Sequence, residues 1–109
     1  MATKNNLDSH ILELRRGAIV IAVLSCLKEK QYGYSMRQQV SKAGLDVSEG
    51  TLYPLLRRLE KQGYLTSEWL VTDNRPRRYY MITTPGTEAL KALTQELRSL
   101  VRAIENLII

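Results

Sequence analysis

Phenylalanine is absent from this 109-residue chain, and cysteine, histidine and tryptophan each occur once. With Cys26 alone no intramolecular disulfide can form, so nothing calls for an oxidising compartment. Cys26 stands in an apolar run and reads as a buried, inert thiol. His10 is the only histidine, and no cluster of His, Cys and acids has metal-ligand spacing. Nucleophile–base pairs, a Gly-rich phosphate loop and paired carboxylates are also missing. No catalytic residue, metal or cofactor is therefore expected, and the chain does not read as an enzyme. Long apolar runs are missing too. The longest, Ala18 to Leu24, falls well short of the ~20 residues that span a bilayer. The N-terminal MATKNNLDSH has no apolar core and cannot be a secretory signal. A cytoplasmic protein with no membrane partner is expected.

What is present is an excess of positive charge. Sixteen Lys and Arg stand against eleven acids, for a formal charge of +5 and a pI near 9.6. On a chain long enough for one domain and one modest core, that balance favours a nucleic acid or another anionic surface.

The most informative stretch is VSEGTLYPLLRRLEKQGYL, Val47 to Leu65. Leu52, Leu55, Leu56 and Leu59 fall at i, i+3, i+4 and i+7, one apolar helix face. Residues advance about 100° each around a helix axis, which groups Gly50, Tyr53, Pro54, Arg57 and Lys61 on the opposite face. That stripe joins a flat backbone patch, an aromatic hydroxyl and two cations, as suits a helix lying against a polyanion. Pro54 removes one helical hydrogen bond and crowds the carbonyl of Gly50, at a cost of ~3 kcal/mol in a helix interior. Either the helix starts near Tyr53 with Pro54 in its first turn, or Gly50 and Pro54 keep the face low for close approach to phosphates. Arg58 lies nearer the side. Ser48 is the expected N-cap, and with Thr51 and the free N–H groups it forms a natural phosphate site.

The rest of the chain frames this helix. Ile11 to Lys30 predicts a first helix, with Lys28 and Lys30 in its last turn and Gly33 as its stop. Tyr34 to Ala43 predicts a second, with Ser35 as a cap and Gly44 closing it. Two strand-like runs follow Gly63, Thr66 to Thr72 and Arg77 to Thr83, joined by Asp73-Asn74-Arg75-Pro76. Trp69 is expected to pack on the core. Of Tyr79 and Tyr80, one should face in and one out. Arg75, Arg77 and Arg78 crowd the hairpin, where arginines reach the minor groove or flanking phosphates. Thr84 as cap, Pro85 at the first helical position and Glu88 in the first turn open a last helix. The fold class expected is mostly α with a small β-hairpin: a winged helix-turn-helix plus a C-terminal dimerisation helix. Residues 1–10 are expected to be a flexible N-terminus, 11–84 the DNA-binding domain and 85–109 the dimerisation helix.

Leu90, Leu93, Leu97, Leu100, Ile104 and Leu107 are spaced 3, 4, 3, 4, 3 along that last helix. This is an a/d seam over more than two heptads, the pattern of a helix that packs on a second copy.

The run GTLYPLLRRLEKQGYL, a Trp in the first wing strand, and RPRRYYMIT leading into the last helix together resemble the PadR family of bacterial transcriptional regulators, over about Leu12 to Thr87. The resemblance implies a dimeric, often autoregulating repressor released by a small-molecule effector at the dimer interface. It implies DNA contacts at Tyr34, Ser48, Gly50, Thr51, Tyr53, Pro54 and Arg57, to which the residues themselves add Arg58, Lys61, Arg75, Arg77 and Arg78. Asn74 stands where the family's wing carries a Gly, and Asn also accepts left-handed backbone angles. The last helix has no Tyr or Trp, so a flat effector cannot be stacked between its aromatics. Two readings compete with the repressor: a winged-helix protein–protein adaptor, and an architectural DNA binder that needs no effector. The operator, the regulated genes and the effector's identity are not written in these residues.

Overall fold

Leucines at 52, 55, 56 and 59 do form one buried helix face, and the domain is built around it. A computed structural model describes residues 6–108. The elements are α1 (Asn6–Cys26), β1 (Gln31–Tyr32), α2 (Gly33–Lys42), α3 (Glu49–Lys61), β2 (Leu65–Thr72), β3 (Arg75–Ile82) and α4 (Thr84–Ile108). The three strands form an antiparallel sheet in the order β1-β3-β2. The α3 leucines meet Ile19, Val23, Leu24 and Leu27 from the α1 side, Met36 and Val40 from α2, Leu65 and Tyr80 from the sheet, and Leu90 from α4. No described helix is long and apolar enough to cross a membrane.

The helix ends follow from local chemistry. The Ser48 side chain accepts the Thr51 N–H at 3.3 Å and caps α3 as expected. Both α2 and α3 close on a left-handed glycine, Gly44 at φ 105° and Gly63 at φ 86°. In each, the glycine N–H and the next N–H turn back to the last carbonyls: Gly44 to Ser41 and Leu45 to Val40, then Gly63 to Glu60 and Tyr64 to Leu59. A side chain at either glycine would be strained by that backbone. Pro54 sits inside α3, so the helix does not begin at Tyr53.

Several boundaries differ from the expected ones. The first helix starts at Asn6, inside the stretch 1–10 expected to be flexible, and residues 1–5 of that stretch lie outside the described residues. It ends at Cys26 rather than Lys30, because its terminal groups find other partners. Gln31 Nε2 donates to the Cys26 carbonyl at 2.8 Å, and the Leu27 carbonyl accepts the Ile82 N–H from β3 at 2.8 Å. Lys28 and Lys30 therefore stand outside the helix. The two-residue strand β1, which pairs Gln31 with Tyr80 and Tyr32 with Tyr79, had no expected counterpart. Gly33 opens α2 instead of stopping α1, and Ser35 hydrogen-bonds Gln31 Oε1 at 2.7 Å instead of capping α2.

The wing turn is tighter than four residues. Only Asp73 and Asn74 link the strands, both with positive φ (53° and 61°), while Arg75 and Pro76 pair with Thr72 and Val71. Two left-handed residues are what a two-residue hairpin matched to strand twist requires. The cap of α4 is Thr83, not Thr84: its Oγ1 accepts the Gly86 N–H at 3.1 Å and donates to the Gly63 carbonyl at 2.6 Å. Cys26 is half-buried, and desolvation pushes its thiol up, in keeping with an inert group.

Helix α4 has 25 residues, a length of about 37 Å. Of its seam residues Leu90 packs into the domain's own core, so it has nothing left to offer a second copy. Leu93, Leu97, Leu100, Ile104 and Leu107 stay exposed, Leu107 to 79%. All but Leu107 line an apolar groove of about 600 Å³ against α1, together with Leu14, Ala18, Ile21 and Val101.

Candidate nucleic-acid interface

The face of α3 opposite the leucines is open. Gly50, Thr51, Pro54, Arg57, Arg58 and Lys61 are all exposed. A side chain at Gly50 would come no nearer than 4.0 Å to the Ser48 hydroxyl, so the flatness of that spot is not imposed by packing. Arg37 of α2 ties that helix to the connector and to the start of α3: its Nε donates to the Val47 carbonyl at 3.0 Å and its Nη1 pairs with Glu49 at 3.4 Å. This clasp spans the connector just before the Ser48 cap.

Tyr53 is only half-buried, turned toward the start of α2. A methyl group at Gly33 would sit 2.6 Å from Tyr53 Cε1, so Gly33 is the residue that lets the ring lie down there. Tyr53 thereby joins Tyr32, Tyr34 and Tyr80 in a cleft of about 530 Å³ closed on the wing side by Arg75, Arg77 and Arg78. Within it the Arg77 guanidinium lies 4.7 Å from the Tyr32 ring centroid. The Tyr32 ring stacks on Tyr34 at 6.4 Å and meets the Tyr79 ring edge-on at 5.6 Å. Gln38 Nε2 donates to the Tyr34 hydroxyl at 3.2 Å.

The three wing arginines have different surroundings. Arg75 is exposed at the tip. Arg77 stacks on Tyr32. Arg78, on the opposite face of β3, donates from Nη2 to Glu60 Oε1 at 3.1 Å and from Nε to Ser67 Oγ at 3.0 Å. Two of its nitrogens are thus engaged inside the fold. Tyr80 is the inward tyrosine of the pair, and its burial pushes the phenol up while the Arg78 cation draws it back down. Trp69 departs from expectation. It is 64% exposed, with Arg78, its cross-strand partner, over its ring at 5.7 Å.

Sequence reasoning missed Tyr32, Glu60 and Arg37. The spacing Tyr-Gly-Tyr at 32–34 was a usable signal, since a glycine between two aromatics marks close packing. A lone acid, Glu60, among Arg57, Arg58 and Lys61 was another.

The geometry is that of a helix-turn-helix with a basic wing, and the relatives of the chain agree. The sequence profile described as the transcriptional regulator PadR-like family matches residues 23–92. The chain belongs to the PadR-like family. Its function is accordingly DNA-binding regulation of transcription, and it is not an enzyme. Among curated proteins it is 39% identical over 93 residues to a transcriptional regulator of Mycobacterium tuberculosis, Rv3488, covering 84% of this chain and 87% of that one. A PadR family regulator from Eggerthella lenta superposes with a TM-score of 0.86 at 40% identity, covering 94% of this chain and 91% of its own. A PadR-like regulator from Bacillus cereus gives 0.78 at 29%, covering 88% and 96%. The PadR profile ends at residue 92, so most of α4 lies beyond it.

Proposed function

We propose that this PadR-like regulator is a dimeric, cytoplasmic repressor that reads an inverted-repeat operator. Residues 11–84 carry the DNA contacts and 85–109 the assembly. The carrying observation is that Tyr53 of α3 lines one cleft with the wing arginines Arg75, Arg77 and Arg78, while Pro54, Arg57, Arg58 and Lys61 of the same helix line a second groove with Arg78, so a helix in the major groove leaves the wing at the neighbouring phosphates.

In this reading Ser48, Thr51 and the first N–H groups of α3 hold a phosphate, which the helix N-terminus favours. Gly50 and Pro54 allow close approach. Arg57, Arg58, Lys61 and Tyr53 reach bases and backbone, Tyr34 adds a hydroxyl, and Arg75 and Arg77 contact the flanking backbone or minor groove.

A second copy covers the exposed seam of Leu93, Leu97, Leu100, Ile104 and Leu107. Five large apolar residues exposed on one helix face, with Leu14 of α1 also bare, support an interface over a solvated surface. Twofold symmetry then sets the two recognition helices about 34–36 Å apart, one turn of DNA. Repression follows from occupancy of a promoter. Release is by a small apolar molecule held at the twofold interface, where aliphatic lining selects for size and apolarity instead of ring stacking.

Selection from random-sequence duplexes tests this. The recovered sequences should share an inverted repeat whose half-sites are centred about 10 base pairs apart. A pool that stays random after several rounds would overturn the reading.

A further inference from the structure

Helix α3 and the wing are joined by one closed set of polar side chains. Glu60 Oε2 accepts from the Ser67 hydroxyl of β2 at 2.6 Å, and Glu60 Oε1 accepts from Arg78 Nη2 of β3 at 3.1 Å. The third side closes the ring, with Arg78 Nε donating to Ser67 Oγ at 3.0 Å. Each residue contacts the other two, and each comes from a different element. The guanidinium carbon lies 5.7 Å from the ring centroids of both Trp69 and Tyr80. A planar fork bound on two nitrogens, with two aromatic rings beside it, is restricted in orientation.

The charge of this set runs against the surface it sits in. Glu60 shares a groove with Arg57, Arg58, Lys61 and Arg78, on the side of α3 that faces DNA in the proposed function. A carboxylate there repels phosphates that lie within a Debye length, about 10 Å at 0.1 M salt. Local electrostatics alone would be better served by a neutral residue.

We propose that Glu60 is a positioning residue for operator recognition: its ring with Ser67 and Arg78 fixes the wing relative to α3, and so fixes the spacing between Arg57 and Lys61 in one groove and Arg75 and Arg77 at the flanking backbone. The inference rests on the proposed DNA-binding function. It makes Arg78 a strut instead of a phosphate contact. A wing free to swing would still offer its cations to any duplex, but a specific site would have to order it on binding, which costs affinity.

The sign of one substitution decides. Glu60→Gln removes the repelling charge and turns an amide N–H₂ or a weaker acceptor toward Arg78. The strut predicts that operator affinity falls about tenfold, the scale of a broken charge-assisted hydrogen bond, with the salt slope unchanged because the same phosphates stay neutralised. Affinity for a scrambled duplex should hold or rise. Arg78→Lys, which keeps the charge and removes the fork, should weaken operator binding equally at the same slope. Should Glu60→Gln fail to fold by circular dichroism, Ser67→Ala keeps both charges and carries the test, with a smaller drop at unchanged slope. Operator binding by the variants that equals or exceeds wild type overturns the strut, as does a shallower slope in Arg78→Lys. A wild-type protein with no preference for the selected operator would instead overturn the DNA-binding function itself.

Discussion

Arg77 rests on Tyr32, with the guanidinium carbon 4.7 Å from the ring centroid. The stack links the wing to a strand of two residues, and through the Tyr32–Tyr34 pair to the start of α2. Arginine keeps its charge when stacked, so Arg77 is both held in place and free to meet a phosphate.

Arg77→Ala should weaken specific and non-specific DNA binding by similar factors, because a backbone or minor-groove cation carries little sequence information. The salt slope should fall by about one unit for each phosphate that Arg77 neutralises in a half-site. An unchanged slope would mean that Arg77 does not touch DNA. The contrast with Arg78→Lys, its neighbour on the other face of β3, makes the pair informative.

Tyr53→Phe and Arg57→Ala should each cost about 1–3 kcal/mol of operator binding if their contacts are charge-assisted or desolvated. The Tyr53 ring that packs on Gly33 is kept in Tyr53→Phe, so the thermal midpoint should hardly move. Titrations at fixed salt check this, and full operator affinity in both variants would remove this face of α3 from the interface.

Much of this architecture was legible in the sequence, for identifiable reasons. Leu52, Leu55, Leu56 and Leu59 repeat at helical spacing over two turns, and Ser48, Gly44 and Gly63 mark ends whose chemistry is local. Strand β1 was not legible, because two residues cannot display a period and its partner lies almost fifty residues away in the chain. The alternation of Arg77 and Arg78 put them on opposite faces of a strand, yet nothing local said that one face held Glu60 and the other Tyr32. Trp69 was misplaced for the same kind of reason: a strand's inward side can be read from its pattern, but how far along the strand that side stays covered cannot. Thr84 was the expected cap, but Thr83 takes the role, its hydroxyl also tied to the Gly63 carbonyl, a contact twenty residues away that local sequence does not display.

Gly86→Ala should destabilise the domain. A side chain there would collide with the Tyr64 carbonyl and lie 2.7 Å from Ile82 Cγ1, where α4 leaves the sheet. Backbone cannot give way as a flexible side chain does, so a destabilisation of at least about 1–3 kcal/mol is expected from overpacking. Chemical denaturation measures it, and an unchanged midpoint would contradict the close approach of α4 to the Tyr64 strand entry.

Leu97→Asp should give a monomer or an unfolded chain. Leu97 is exposed on the single chain, and burying a leucine stabilises by roughly 1.5–3 kcal/mol, counted twice across a twofold axis. Two aspartates meeting there would also repel. Operator binding should disappear although no DNA-facing residue has changed, since one half-site alone forfeits the effective concentration of the second. Sedimentation of both proteins is decisive, and a wild type that runs as a monomer at micromolar concentration would end the half-site geometry.

In the proposed function the α3 face reads base sequence and does more than attract phosphates. The most direct measurement of this is the ratio of dissociation constants for the selected operator and a scrambled duplex of equal length, both at about 0.15 M salt. A sequence-reading dimer should prefer its operator by about a thousandfold or more. Equal affinities for the two duplexes, with the usual steep salt dependence, would make this an architectural DNA binder and contradict a sequence-reading α3.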